Sequence, residues 1–390
     1  MQELLLQLLL LFLKDIFRIH KNKKVSKNYL LEMKKKIVIV TDIPFWRHIA
    51  GHMARLTSLV NFLSTIFPLT IIYGGFLHTS EKETLINHVF NIKLVTFNTP
   101  QYGLACFSNF IKQYLLKNIF DICIIEYVEL SYLLDSIPDV TKKYLDTHDL
   151  KSKRENEFAK FGLPHEKFSW KEEIHLFKQY DKILLIQEND YKKVTRSLGR
   201  DRTILASHAV NLPRVKLRKK VSNIGFIASS YPPNINGLVW FLNNIWQSFK
   251  DYDIHLIIYG SICIYSDSLN KYKNVCFMGS FNRLEDVYQK VDIVINPVQF
   301  GAGIKIKNLE ALGSGLPLIT LPHGSIGLED LSNKGFIVAK DKEEFRDMLM
   351  LLIKDYNLRM SIADRAYDYI SCYHSPEYCF KPLINSIINS

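Results

Sequence analysis

Two glycines, two lysines and a glutamate fall within ten residues, Gly301-Ala302-Gly303-Ile304-Lys305-Ile306-Lys307-Asn308-Leu309-Glu310, and this spacing suits the binding of an anion. Gly301 and Gly303 let the backbone come close to a ligand. A helix starting near Ile304 aims its free N–H groups and its positive dipole end back at that loop. Lys305 and Lys307 then fall in the first turn, where the dipole disfavours cations by roughly a few tenths of a kcal/mol unless an anion sits opposite. A diphosphate would offset that cost. Glu310, three residues after Lys307, lies on nearly the same helix face about one turn deeper, where a carboxylate can accept bonds from two ribose hydroxyls.

A second candidate is His148, just past the strand Lys143-Tyr144-Leu145-Asp146, because ligands of open α/β sheets bind beyond the carboxyl ends of strands. The neighbouring Asp149 either caps the next helix or orients His148. Arg47, His48, His52 and Arg55 follow the first strand and are candidates for acceptor or phosphate contact, with solvated loop or helix charge as the alternative. Glu172 and Glu173 read as surface, since adjacent helical residues point about 100° apart and cannot easily serve one bond.

The elements that must hold these residues are legible around them. Val291, Ile293, Val294 and Ile295 form a buried strand stopped by Asn296-Pro297. Gly313 and Gly315 end the following helix, and Pro317-Leu318-Ile319-Thr320 opens another strand before the loop HGSIGL. Upstream, apolar runs at 37–40, 69–73, 92–97, 121–126, 143–146 and 183–186 alternate with helical segments, 183–186 being the last strand of this half. Residues 128–137 read as one of the helices. A proline and a basic run at 211–221 mark the linker. A second half follows with strands at 224–228, 254–259, 275–279 and 335–338, a turn at 231–234 and a helix from about Gly237. The class is α/β.

The run GAGIKIKNLEALGSGLPLIT with HGSIGL resembles the donor-binding segment of family 4 (group 1) glycosyltransferases, in the subgroup with a GxGxKxK donor loop. The resemblance implies the GT-B fold, two Rossmann-like domains facing across a cleft. Residues 34–210 would be the acceptor domain, 211–375 the nucleotide-sugar donor domain, and 376–390 a helix crossing back to the first. It implies that Glu310 binds the donor ribose, that Gly301, Gly303, Lys305 and Lys307 hold the diphosphate, and that the loop Gly279-Ser280-Phe281 meets the base. It places His148 beside the transferred sugar, so that His148 and Lys305 are the catalytic candidates and Arg47 and His52 serve acceptor or phosphate.

The implied reaction is retaining transfer, with the leaving phosphate oxygen taking the acceptor's proton. Cationic side chains neutralise the diphosphate, and no metal or other cofactor is expected, as no DxD pair ends a strand. The sequence departs from the family at Ala302, where many members have a second glutamate, and at Gly51-His52, where paired glycines are common. It also lacks any arginine or lysine between Gly225 and Asn236. Two alternatives stand beside this reading: a GT-B sugar-nucleotide-binding or scaffold protein with weak catalysis, and a GT-B nucleotide-sugar epimerase.

A chain of 390 residues is long enough for about two domains with separate cores. Hydrophobic residues at 47% exclude a disordered chain. The net charge of +11 suits phosphorylated substrates or an anionic membrane surface. Nucleic acid is not expected as a partner, because no binding motif accompanies the dispersed basic residues. The six cysteines show no metal-ligand spacing and read as reduced thiols of a cytoplasmic protein. Residues 1–33 form an apolar and basic extension. Its run Leu4–Leu13 is too short to span a bilayer, and Lys21, Lys23, Lys24 and Lys27 follow it. Either this extension rests on the inner face of a membrane, or translation starts at Met33 and the extension is unpacked. The expected partners are therefore a nucleotide-diphosphate sugar, a glycan or lipid-linked acceptor, and the membrane surface.

Overall fold

The computed structural model describes residues 35–390 except 48, 79–80, 82–91 and 270. The extension 1–33 with its lysines, and His48, lie outside the described residues. Short runs that are apolar at most positions, rather than at alternate ones, become parallel strands, covered on both faces in the middle of each sheet and partly open at edges such as β3 and β13. In the first half these are β1 (Ile37–Thr41), β2 (Leu69–Tyr73), β3 (Ile92–Thr96), β4 (Ile122–Glu126), β5 (Lys142–Asp146), β6 (Lys182–Leu185) and β7 (Thr203–Leu205). They form one sheet in the order β3-β2-β1-β4-β5-β6-β7. The second half contributes β8 (Asn223–Ile227), β9 (His255–Tyr259), β10 (Val275–Gly279), β11 (Ile293–Asn296), β12 (Leu318–Thr320) and β13 (Ile337–Val338), ordered β10-β9-β8-β11-β12-β13.

Strand order reverses between β1 and β4 in one sheet and between β8 and β11 in the other. Such switch points leave a crevice beyond the strand ends. The loops leaving these strands meet each other, so the two crevices open onto one cleft. The last helix, Pro376–Ile388, leaves the second half and buries Phe380, Leu383, Ile384 and Ile387 against the core of β1 and β2. Tyr144 and Ser386 hydroxyls lie 2.9 Å apart there. Among the described residues no helix is long and apolar enough to cross a membrane.

Four local expectations are corrected. The first sheet does not end at 183–186: Thr203, Ile204 and Leu205 add β7, paired in parallel with β6. Residues 128–136 form a 3-10 helix. The helix expected from Gly237 begins at Pro232, since proline fits the first helical position, where the missing N–H is not needed. Glu173 is buried, its carboxylate accepting the backbone N–H groups of Lys151 at 2.6 Å and Ser152 at 3.3 Å. It thereby caps the helix Lys151–Lys160 from a neighbouring helix.

Candidate functional site

A cavity of about 440 Å³ lies in the cleft, lined from the first half by His52, Tyr127, His148, Asp149 and Arg154 and from the second by Asn234, Gly303, Lys305, Lys307 and Glu310. An adjoining cavity of about 340 Å³ shares His52, Tyr127 and Arg154 and runs toward Asp42 and Glu129.

The donor-side loop follows β11 and is fixed by side chains at its base. Asn296 Nδ2 donates to Asn308 Oδ1 at 2.9 Å and Asn308 Nδ2 to the Gly324 carbonyl at 2.8 Å. Gly301 and Gly303 have φ of +113° and +74°, in the region that favours glycine. A Cβ at Gly303 would meet Asp149 of the other half at 3.4 Å. Burial holds the His323 imidazole at a pKa of about 4, so at neutral pH it is uncharged and Nε2–H donates to the Gly301 carbonyl at 2.8 Å.

The helix after this loop is Ile306–Gly313, two residues later than expected. Lys305 is therefore its N-cap residue, and no side chain caps the helix. The Asn308 N–H turns back to the Lys305 carbonyl at 2.8 Å, and the earlier N–H groups of an uncapped first turn need a partner from outside the helix. Lys305 Nζ donates to the Gly303 carbonyl at 3.0 Å. Lys307 Nζ donates to Asn234 Oδ1 at 2.6 Å and sits 4.7 Å from the centre of the Phe226 ring. Burial lowers the Lys305 pKa to about 8, helped by Lys153, and that of Lys307 to about 7, helped by Lys305. Glu310 is pushed up to about 8 by burial, with the Tyr288 hydroxyl 3.5 Å from Oε2. Two amines and a carboxyl group are thus desolvated side by side, with no ion pair between them among the described residues. An anion carrying hydroxyl groups would satisfy all of them.

The opposite wall is built on the ends of β4 and β5, where Glu126 stands in register with Asp146. His148 Nε2 lies 2.6 Å from Glu126 Oε2, and its ring stacks on Tyr127 with centroids 4.1 Å apart. Arg55 Nε donates to Asp146 Oδ2 at 3.1 Å, both side chains being fully buried. Burial opposes charge on His148, but the bond to Glu126 and the charges of Asp146 and Glu126 outweigh it and raise its pKa above the ordinary value. His52, desolvated and facing His148, falls to about 4. Glu126, Asp146 and His148 offer three ligand atoms within 4.8 Å of one another. Arg55 already occupies a cation's place on Asp146, which disfavours a divalent ion there.

His148, His52, Gly303, Lys305, Lys307 and Glu310 are thus brought to one cavity. Arg47 is turned away, its Nε bound to Glu81 at 2.5 Å. Gly301 stands behind the lining, and Gly279 leaves the wall to Phe281 and Leu284. Asp149 neither caps the next helix nor binds His148; it accepts a bond from Arg154 Nη1 at 2.9 Å. Sequence reasoning overlooked Glu126, Asp146 and Asn234. The usable signal was a carboxylate in the last position of two successive apolar strands.

The family profile described as glycosyl transferases group 1 matches residues 221–355. An uncharacterized 44.6 kDa protein in the cps region of Klebsiella pneumoniae is 24% identical over 91% of this chain and 99% of its own length. A variant of S. aureus TarM, solved with fondaparinux, α-GlcNAc-glycerol and UDP, superposes with a TM-score of 0.72 at 13% identity, over 91% of this chain and 100% of that one. Anabaena HepE in complex with UDP and glucose does so with a TM-score of 0.69 at 12% identity, over 91% and 100%. Residues 221–355, which hold the whole second sheet, thus match the group 1 glycosyltransferase profile, and the chain has the two facing Rossmann-like sheets of a GT-B fold.

Proposed function

We propose that this protein is a retaining glycosyltransferase of the GxGxKxK subgroup, which moves a hexosyl group from a nucleotide-diphosphate sugar to an acceptor hydroxyl in cell-envelope polysaccharide or glycolipid synthesis. The observation that carries the reading is the uncompensated trio of Lys305, Lys307 and Glu310 at an uncapped helix N-terminus on the cleft. Glu310 accepts the ribose hydroxyls. Lys305, Lys307 and the first-turn N–H groups take the diphosphate and stabilise the charge that develops on it as the sugar departs. The bond from the anomeric carbon to the phosphate oxygen breaks, a bond to the acceptor oxygen forms on the same face, and the acceptor's proton passes to the leaving phosphate. The chain's remaining work is to position the acceptor and exclude water. The second cavity, beside Asp42 and Glu129, is the acceptor's place in this reading. The neighbours solved with UDP make uridine donors the first to try, and the glycan ligands of TarM favour a glycan or lipid-linked acceptor.

The test is thermal unfolding of the full chain with a panel of nucleoside diphosphates in EDTA, beside Glu310→Ala. A ligand at a hundred times its dissociation constant stabilises the fold by about 2.7 kcal/mol. The expected result is a higher midpoint with one base, lost in the variant. Absence of any response removes the donor site. Binding without turnover of any sugar nucleotide favours the scaffold reading, to which Ala302 on the cavity wall already points.

A further inference from the structure

Beneath the sugar side of the cavity lies a buried group of four charged or chargeable residues whose hydrogen bonds are incomplete. Glu126 and Asp146 end adjacent strands, Arg55 comes from the helix Gly51–Ser64, and His148 follows β5 with φ of +56°. One oxygen of each carboxylate, Glu126 Oε1 and Asp146 Oδ1, has no partner, nor has Arg55 Nη2. Of the four, only His148 lines the cavity. Its Nε2 is held by Glu126 at 2.6 Å, and Nδ1 has no hydrogen-bond partner among the described residues.

We propose that Glu126 is a positioning residue that fixes the protonation of His148, so that Nδ1 presents an N–H donor, rather than a base, to the transferred sugar. The proposal rests on the donor-site reading above. Two carboxylates against one guanidinium leave the buried group one negative charge in excess, and a second proton on the His148–Glu126 pair brings it to zero. Whether the bridging proton sits on Nε2 or on Glu126, that neutral pair keeps a proton on Nδ1. The other groups that face His148 do not reverse this balance. His52 and His208 are uncharged near neutrality because burial holds them low. Asp42 cannot reverse it either, since a carboxylate there favours a proton on His148 and a carboxylic acid carries no charge, and the Asp149 carboxylate is taken up by Arg154. Tyr127, stacked on the ring, fixes its plane, so the Nδ1–H direction is set as well as its occupancy. A fixed donor suits a reaction in which the leaving phosphate, not the protein, receives the acceptor's proton.

The experiment is nitrogen NMR of the full chain labelled at histidine, with the His148 signals identified by their loss in His148→Asn. In the parent, Nδ1 is expected to be protonated at pH 7 and to stay so beyond the titration of an ordinary imidazole. In Glu126→Gln, which keeps the shape and removes the charge, the His148 midpoint should fall by about one pH unit or more. A bare Nδ1 in the parent at pH 7 overturns the proposal, and so does an unchanged midpoint in Glu126→Gln. If Glu126→Gln does not fold, the parent spectrum alone decides. Nucleoside diphosphate stabilisation, measured on the same samples, should be equal in parent and variant. Its absence from both would sink the donor site while leaving the histidine result intact. With a sugar donor in hand, Glu126→Gln should lower kcat by about tenfold or more at unchanged donor KM, the loss of one charge-assisted hydrogen bond.

Discussion

At the scale of single residues, Glu310 is where binding is set against stability. Burial raises its folded pKa to about 8 from an ordinary 4.5. The folded state therefore holds more protons than the unfolded chain between those values, and stability falls as pH rises through that window. The loss is complete above about pH 8. Lys307 has the opposite sense: its pKa is lowered to about 7 from 10.5, so its cost is present below pH 7 and is relieved as pH rises toward 10.5. Glu310→Gln removes only the first effect. The variant should match the parent near pH 5 and exceed it near pH 8 by about 1–2 kcal/mol, after discounting for the side of the carboxylate open to the cavity. At pH 8 Lys307 is already mostly neutral, so little attraction is lost with the charge. Unfolding midpoints at the two pH values check this; equal differences at both would remove the desolvated carboxylate from the argument. The same variant should respond less to nucleoside diphosphate, because an amide offers one accepting oxygen to two ribose hydroxyls where the carboxylate offers two.

At the scale of elements, the crossing helix Pro376–Ile388 ties the second half of the chain to the first. Phe380 is fully buried, its ring 5.4 Å from that of Phe62 and 5.2 Å from the Arg55 guanidinium. Phe380→Ala should cost about 3–5 kcal/mol, the usual penalty for emptying a large aromatic site. It should also loosen Arg55, and with it the buried group under His148. Urea unfolding measures the cost, and a loss below about 1 kcal/mol would mean that the helix is dispensable to the first core. This element and most strands were legible for different reasons. Apolar runs such as Ile37–Val40 and Ile122–Ile125 declare strands buried on both faces, whereas the path of the last helix followed only from resemblance to a family. Thr203-Ile204-Leu205 is too short to show a pattern, so β7 escaped notice. Pro232-Pro233 reads equally as a turn or as the first turn of a helix, and burial of the following face decides between them. The donor loop was readable because glycine, lysine and glutamate lie within ten residues of one another. His148 and Arg55 were readable singly, but their grouping with Glu126 and Asp146 was not, because 93 positions separate Arg55 from His148 and the group is assembled by the pairing of β4 with β5 and by the helix Gly51–Ser64 that carries Arg55.

At the scale of the whole molecule, the two halves touch across the cleft through aromatic and polar side chains. The helix Lys151–Lys160 and the residue after it bring Phe158 to Tyr231 and Phe161 to Phe300, the latter pair stacked at 4.0 Å and 19°. Asn189 reaches Glu329 at 3.4 Å, and Gly51 leaves Ile306 room at 3.4 Å for no more than a methyl. Each sheet has its own core, so the contact across the cleft governs closure rather than folding, and movement about it is the natural expectation. Phe161 separates the two roles. It is 42% exposed, so its removal leaves the first core nearly intact, yet it supplies half of the stacked pair. An aromatic pair contributes about 0.5–1.5 kcal/mol beyond its buried area. If the donor binds only when the halves are together, that energy appears in the apparent affinity. Phe161→Ala should therefore weaken nucleoside diphosphate binding by roughly 2- to 12-fold with little change in the unliganded unfolding midpoint. In X-ray scattering the free variant should be more extended than the parent, and saturating nucleotide should bring the two together. Identical scattering and affinity in parent and variant would place the energy of closure elsewhere, at the donor loop itself, where Gly303 approaches Asp149 closely.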